Sequence, residues 1–171
     1  MIACNATPLI YLAKIGKLQL LKDLYSTVLI TEEVKEEVVD RGQHLGKKDA
    51  YLIEQAIGEG WIRVEKVKAI KLQIELEKGE ASTISLAKAK DLKEVLIDEA
   101  SARTAAKLNG LEPKGTIFIL LKALALRLID LSQFLELLQR LVQEGFRLKE
   151  EVYIEAIEKA REIARSETRH I

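Results

Sequence analysis

The sequence is poor in several residue types, and each scarcity restricts what the protein can be. It has one cysteine, two prolines and 5% aromatic residues in 171 positions. A single cysteine excludes an intrachain disulfide, which favours a reducing, cytoplasmic setting. The formal net charge is zero, so attraction to a polyanion must come from a local basic patch. Charged residues interrupt even the most apolar region, 117–142, so we expect no membrane span.

Apolar and charged residues are abundant instead. They make up 48% and 32% of the chain, a mixture typical of globular proteins. The length suits one main domain with a substantial core. Lysine and glutamate are frequent, whereas asparagine, methionine and histidine are scarce, a bias associated with heat-stable proteins through surface ion pairs. We therefore expect a thermostable globular protein.

Short apolar segments alternate with amphipathic helical patterns along most of the chain. Strands are predicted near 1–4, 27–30, 61–67, 95–97 and 113–116. Such alternation is typical of a parallel sheet covered on both faces. We predict a three-layer α/β/α fold over residues 1–128, with a central sheet of four to five parallel strands. Residues 129–171 are predicted to form a C-terminal helical extension packed on the same domain.

Local signals refine this outline. Thr7 followed by Pro8 is typical of a helix N-cap with proline at the first helical position. The helix that begins after Thr31 is predicted to end at Arg41-Gly42. The segment 61–67 alternates apolar and polar residues, which favours a strand at the sheet edge.

Acidic and amide side chains come where the predicted strands end. Because the carboxyl ends of parallel strands meet at one edge, we expect these side chains to lie close together. Neighbouring carboxylates repel unless a cation neutralises them, and Mg²⁺ or Mn²⁺ favours oxygen ligands. This chemistry favours metal-assisted phosphodiester hydrolysis. The candidate ligands are Asn5, Glu37 (with Glu36 as the alternative register), Glu80, Asp98 and Glu99.

Each acid also has an ordinary structural interpretation. Glu80, Asp98 and Glu99 fall near helix starts, where carboxylates complement the helix dipole. Glu36 and Glu37 belong to a charged helix that has a solvated face. Only the joint placement of these residues favours a functional site.

The motifs resemble those of the PIN-domain nucleases, best known from VapC-type toxins, over nearly the whole chain. The opening 2–10 is similar to the first strand of that family, with its Asp-x-Ser-x-Leu-Ile signature, and Asn5 stands at the first metal-binding aspartate. Glu37 resembles the second acid. Glu80, in a Gly-Glu-Ala motif, resembles the third. Asp98 resembles the fourth acid, with Glu99 as a neighbouring candidate, and Gly115-Thr116 resembles the polar end of the last strand.

The resemblance implies a metal-dependent endoribonuclease with Mg²⁺ or Mn²⁺ at the acidic cluster. It further implies an RNA substrate, taken as single-stranded, a homodimer and, for a toxin-related member, an antitoxin-like protein partner. The residues predicted to contact substrate are Thr7, Arg103, Lys114 and Thr116.

Asn5 departs from the family pattern because its amide brings no charge. Asn5→Asp is therefore expected to raise metal affinity. The same departure favours an alternative, a catalytically weak or inactive PIN-like module that binds RNA or a protein partner. A third hypothesis, a domain for a small phosphorylated ligand, is disfavoured because no glycine-rich phosphate loop follows the first strand.

Overall fold

The computed structural model describes residues 1–44 and 46–168, with the backbone alone at positions 43, 44, 167 and 168. The chain divides into two compact units, residues 1–116 and 117–171. In the described part of the first unit, five parallel strands form one sheet. They are β1 (Ile2–Cys4), β2 (Val28–Thr31), β3 (Ile62–Glu65), β4 (Glu94–Leu96) and β5 (Glu112–Lys114), and they lie in the order β3-β2-β1-β4-β5.

Helices connect the strands. The chain runs through α1 (Ala6–Lys14), α2 (Gln19–Tyr25), α3 (Glu32–Lys35), a π-helical turn (Glu36–Asp40), α4 (Arg41–His44), α5 (Lys48–Gly58), α6 (Lys78–Ala89) and α7 (Ala100–Leu108). Every residue of β1 and β2 is buried, so both faces of the central strands are covered. The predicted α/β fold with a parallel sheet flanked by helices is confirmed.

One hydrophobic core lies between the sheet and two helices. Since successive strand residues point to opposite faces, Ala3, Leu29 and Val95 share one face. They pack with residues of α6 and α7, including Ile84 and Ala105. The sheet thereby holds the amino ends of both helices near its carboxyl edge.

The predicted edge strand is confirmed at the edge, but it is shorter than expected. β3 stops at Glu65, and residues 66–77 lie outside the sheet, without helix or strand. Leu72, Ile74 and Leu76 pack against the core. Alternation of apolar side chains thus continues beyond the strand, where it reflects packing on the core instead of strand pairing.

Two helix boundaries differ from the sequence prediction. Asn5, in extended backbone, is the N-cap of α1, so Thr7 lies inside the first turn and its hydroxyl is available to another partner. The helix after Thr31 does not end at Arg41-Gly42 but continues through the π-helical turn into α4. Gly42 serves packing: a Cβ at that position would lie 2.7 Å from the Cβ of Ala50, which places α4 and α5 in close contact.

The second unit contains α8 (Thr116–Ala125, which begins at the last residue of the first unit), α9 (Leu131–Gln143) and α10 (Glu150–Thr168). A reciprocal capping box opens α9, with Gln133 N–H donating to Asp130 Oδ1 over 2.7 Å and Asp130 N–H donating to Gln133 Oε1 over 2.8 Å. The apolar face of α9 is buried and contacts α10. The division at residue 128 and the packing of residues 129–171 on the sheet domain stay predictions.

No helix in the described ranges is long and apolar enough to cross a membrane.

Candidate active site

The first part of the site joins the ends of β1 and β4. Asn5 directly follows β1 and is 3% exposed, and Glu99 follows β4 by three residues. Asn5 Nδ2 donates to Glu99 Oε2 over 3.2 Å, and Thr7 Oγ1 donates to Glu99 Oε1. An ionised carboxylate only accepts hydrogen bonds, so the amide nitrogen must face Glu99. The amide oxygen of Asn5 consequently points away from Glu99.

That amide oxygen shares a small space with Glu37. A Cβ built on Gly79 would lie 3.5 Å from Asn5 Oδ1 and 3.3 Å from Glu37 Oε2. Because Gly79 has no side chain, the two oxygens and a methyl group of Val34, 3.6 Å from the same position, can lie close to its backbone. We call this space, bounded by Asn5, Glu37 and Gly79, the Gly79 cradle.

Within the π-helical turn, Glu37 rather than Glu36 lies beside the cradle. Glu36 is exposed and lies 3.7 Å from Arg41 Nη2, whereas Glu37 is half-buried beside the cradle. A π-helical turn changes the angle at which successive side chains leave the helix, and such turns are frequent at functional sites. The geometry thus favours Glu37, one of the two registers that the sequence left open.

Asp98 is held in a different way. Both carboxylate oxygens accept from Thr116: Oδ1 from the backbone N–H over 2.8 Å, and Oδ2 from the hydroxyl over 2.7 Å. Arg103 Nη1 donates to the carbonyl oxygen of Ile97 over 3.0 Å. These bonds tie the end of β4 to the residues after β5, and they fix the orientation of the Asp98 carboxylate.

Glu80 is partly engaged by its own helix. It lies in the first turn of α6, and its Oε2 accepts from Glu77 N–H over 3.2 Å. One of the two carboxylate oxygens of Glu80 therefore has the ordinary structural role of a first-turn acid. A role of Glu80 as a metal ligand stays a prediction.

The carboxylates share one electrostatic field. Burial is the main cause that raises the pKa values of Glu37, Glu80 and Asp98 above their ordinary values. The charge of Glu99 raises all three further, while the bonds from Thr116 and the nearby Arg103 oppose the rise at Asp98. Mutual repulsion at short range means that bringing these charges together costs free energy in the absence of a cation.

These residues provide few protein ligands for a divalent ion. Across the part of the chain that the structure describes, no three side chains of the Asp, Glu, His and Cys types converge into a metal-ligating group. Mg²⁺ is usually held by only one or two carboxylates together with waters and substrate oxygens. The Gly79 cradle has one carboxylate and one amide oxygen beside it, and donors of these types belong to such sites.

Buried hydroxyls beneath the cradle were missed by the sequence analysis. Thr31 Oγ1 and Ser82 Oγ lie 2.8 Å apart, and the hydroxyls of Ser82 and Thr83 donate to the carbonyl oxygen of Gly79 over 3.0 and 2.7 Å. All three side chains are buried. They join the end of β2 to the start of α6 and hold Gly79 in place. The signal was present in the run Gly79-Glu80-Ala81-Ser82-Thr83, whose hydroxyls fall three and four residues after the glycine, the spacing for such bonds.

Four residues were predicted to contact substrate, and three of them form hydrogen bonds to other residues of the site. Thr7 donates to Glu99, Thr116 donates to Asp98, and Arg103 donates to a backbone carbonyl. Lys114 ends β5 and lies 3.9 Å from Glu112 Oε2. Contact of these residues with substrate stays a prediction.

Fold and site together define a parallel α/β protein whose acidic and amide oxygens gather at the carboxyl edge of the sheet. A family model described as PIN domain matches residues 1–162, so the chain belongs to the PIN-domain family, which has a nuclease-type fold. PIN domains are generally nucleases and usually use divalent metal ions. The comparison with curated proteins gives no match.

Proposed function

We propose that this protein is a metal-dependent endoribonuclease that hydrolyses RNA phosphodiester bonds with Mg²⁺ or Mn²⁺. The observation that carries the proposal is the Gly79 cradle, where Glu37 Oε2 and Asn5 Oδ1 lie 3.3 and 3.5 Å from one point at the carboxyl edge of the sheet. In open α/β folds this edge is where ligands bind. Membership of the PIN-domain family supports the reaction class.

In this proposal the residues of the site have separate roles. Glu37 and Asn5 would hold the ion at the cradle, and Glu99 would add a nearby negative charge. A bound divalent ion neutralises phosphate charge and lowers the pKa of a bound water. Asp98, held by Thr116 through both oxygens, lies at a fixed position where it can orient a water. In the reaction a water oxygen bonds to phosphorus while the bond to the leaving oxygen breaks, and a proton passes to that oxygen.

The test is cleavage of single-stranded and structured RNAs by the purified protein with Mn²⁺, Mg²⁺ or EDTA. Asp98→Asn is a suitable inactive control because its shape is unchanged, and the Thr116 hydroxyl can accept from the new amide nitrogen while the Thr116 N–H still donates to the amide oxygen. We expect cleavage with either metal, none in EDTA, and a large loss in Asp98→Asn. Equal cleavage by both proteins would indicate a contaminating nuclease and would contradict the proposal.

The alternative function is a PIN-like module that binds RNA or a protein partner without cleaving. Asn5 favours it, because the residue at the end of β1 carries no charge, so the site has one carboxylate fewer than the family pattern. Binding of the RNA panel by fluorescence anisotropy, with no cleavage at any metal concentration, would establish this alternative. Preference for single-stranded RNA is tested in the same experiment.

The remaining finer predictions have the support of the sequence alone, the last two of its composition and the others of the family resemblance. They are a VapC-like, toxin-related role, an antitoxin-like protein partner, a homodimer, high thermal stability and a cytoplasmic location. Light scattering of the purified protein measures its oligomeric state. Growth arrest on expression, reversed by Asp98→Asn, would support a toxin role.

A further inference from the structure

Asn5 and Glu99 are far apart in sequence but form a hydrogen-bonded pair at the carboxyl edge of the sheet. We infer that Glu99 supplies the negative charge that the end of β1 lacks, while Asn5 supplies the neutral donor that holds Glu99 there. The pair thus has its amide on residue 5, where the family resemblance implies a carboxylate, and its carboxylate on residue 99; we call this arrangement the exchange. This inference rests on the proposed function, since it concerns the charges that hold the metal at the same site.

The contact geometry requires unlike groups at these two positions. Asn5 Nδ2 lies 3.2 Å from Glu99 Oε2, and Asn5 is 3% exposed. An aspartate at position 5 would place a carboxylate oxygen where the amide nitrogen donates. Two carboxylates at that distance repel, and the burial of residue 5 leaves its side chain little room to turn toward water.

Thr7 makes the placement of Glu99 specific. Its hydroxyl donates to Glu99 Oε1 while Asn5 donates to Oε2. The two donors come from the junction between β1 and α1, so they direct the Glu99 carboxylate to the end of β1. A carboxylate has about four lone-pair positions on its two oxygens, which leaves acceptor capacity for a cation or a metal-bound water.

The exchange reverses the effect that the sequence predicts for Asn5→Asp. Asn5→Asp is expected to raise metal affinity if position 5 only lacks a charge. With Glu99 in hydrogen-bond contact, the same substitution adds a second charge next to the first and removes the donor that orients it. We therefore expect Asn5→Asp to disturb the site unless Glu99 is changed at the same time.

The experiment compares wild type with Asn5→Asp, Glu99→Gln and the double variant, which restores one carboxylate and one amide in swapped places. The Tm is measured in EDTA at neutral pH, and the Mn²⁺ dissociation constant is measured by isothermal titration calorimetry. Glu36→Gln, which removes an exposed charge from the same surface, is the control for a general charge effect.

We expect Asn5→Asp to lower the Tm of the metal-free protein and the double variant to regain at least half of that loss. Glu99→Gln should weaken Mn²⁺ binding by about tenfold, the lower end for changes in residues around a metal. The double variant should return to within about threefold of wild type, since it again has one charge and one donor. If Asn5→Asp fails to fold, recovery of folding in the double variant supports the same conclusion.

Tighter Mn²⁺ binding by Asn5→Asp with an unchanged Tm would overturn the exchange, as would a double variant no better than its single variants. Failure of the proposed function looks different. In that case none of the four proteins binds Mn²⁺, although the Tm values still show the coupling between positions 5 and 99. That result would reject Glu99 as a source of charge for a metal and would reject the metal site with it.

Discussion

Two glycines at the same sheet edge approach acidic side chains in different ways. At Gly115, a Cβ would lie 2.7 Å from Asp98 Oδ1 and 3.3 Å from Arg103 Nη1. At Gly79, it would lie 3.3 Å from Glu37 Oε2 and 3.5 Å from Asn5 Oδ1. The first corner is closed, because Asp98 already accepts two hydrogen bonds from Thr116. At the second corner the two oxygens lie at contact distance from the Cβ position, together with a methyl group of Val34.

The difference separates a carboxylate that Thr116 holds in a fixed orientation from two oxygens that lie on the same side of a glycine. At the Gly115 corner the carboxylate is satisfied by the protein, so it contributes to the fold and to a fixed orientation. At the Gly79 corner a carboxylate oxygen and an amide oxygen lie on the same side of the glycine, which is why we propose the ion there. A change at Gly115 should therefore damage stability, and a change at Gly79 should damage metal binding.

The largest expected effect is on catalysis, at the Gly79 corner. Glu37→Gln should lower RNA cleavage at saturating Mn²⁺ by about 100-fold, equal to about 2.7 kcal/mol of transition-state stabilisation. The reason is that it removes the carboxylate beside the cradle while keeping its shape. Initial rates measured by gel electrophoresis test this.

Glu36→Gln is the matched control, because Glu36 is the adjacent glutamate and its side chain is exposed. It should retain activity within about twofold, as surface substitutions usually have small effects. Equal losses in the two variants would show that the π-helical turn does not select Glu37.

The next effect is on stability, at the Gly115 corner. Gly115→Ala forces a methyl group to within 2.7 Å of Asp98 Oδ1, which must disturb the bonds from Thr116. Overpacking of this kind costs about 1–3 kcal/mol of unfolding free energy. Urea unfolding of the metal-free protein measures the loss.

Gly58→Ala is the control for this measurement, because a Cβ at Gly58 meets nothing within 4 Å. Its unfolding free energy should be unchanged or higher by up to about 1 kcal/mol, through the reduced entropy of the unfolded chain. A Gly115→Ala protein as stable as Gly58→Ala would mean that Asp98 can move away at little cost.

A smaller effect is expected when the cradle is filled. Gly79→Ala places a methyl group in ordinary or slightly tight contact with Glu37, Asn5 and Val34, so the metal-free protein should lose less than about 1 kcal/mol of stability. The space for an ion is reduced, and Mn²⁺ affinity should fall by about tenfold, or about 1.4 kcal/mol. Calorimetric titration with Mn²⁺ measures this, and unchanged affinity would place the ion elsewhere.

The smallest effect concerns pH. The pKa values of Glu37 and Asp98 are raised in the folded protein from 4.5 and 3.8, so the folded state binds protons that the unfolded state has released. The unfolding free energy of the metal-free protein should therefore fall as pH rises through the range above 4.5. Urea unfolding in EDTA at successive pH values measures the slope, and Glu37→Gln should flatten it. A rise in stability over that range would contradict the raised pKa values.

Several features of the fold were predictable because their signals are local. The apolar run of Val95 to Ile97 indicated a buried strand, and the alternation of Trp61 to Val67 indicated an edge strand. Side chains of alternate strand residues point to opposite faces, so such patterns report burial directly. Asn5 and Asp98 were expected at one edge because parallel strands have their carboxyl ends together.

Other features depend on contacts that no local pattern encodes. Thr7 was expected to cap α1, but its hydroxyl donates to Glu99, a residue far along the chain. The segment 66–77 has strand-like alternation but packs on the core outside the sheet. In both cases a contact with distant residues replaced the secondary-structure role that the local pattern predicted.

The sequence by itself determined a parallel α/β protein with oxygen-rich side chains at the strand ends, since periodicity and strand-end chemistry are properties of short segments. Only the tertiary structure decided that Glu37 rather than Glu36 faces Gly79, that Thr116 holds both oxygens of Asp98, and that Asn5 pairs with Glu99. Those choices depend on a π-helical turn and on hydrogen bonds between distant residues. Such bonds form only when the packed sheet brings their partners within 3.2 Å or less.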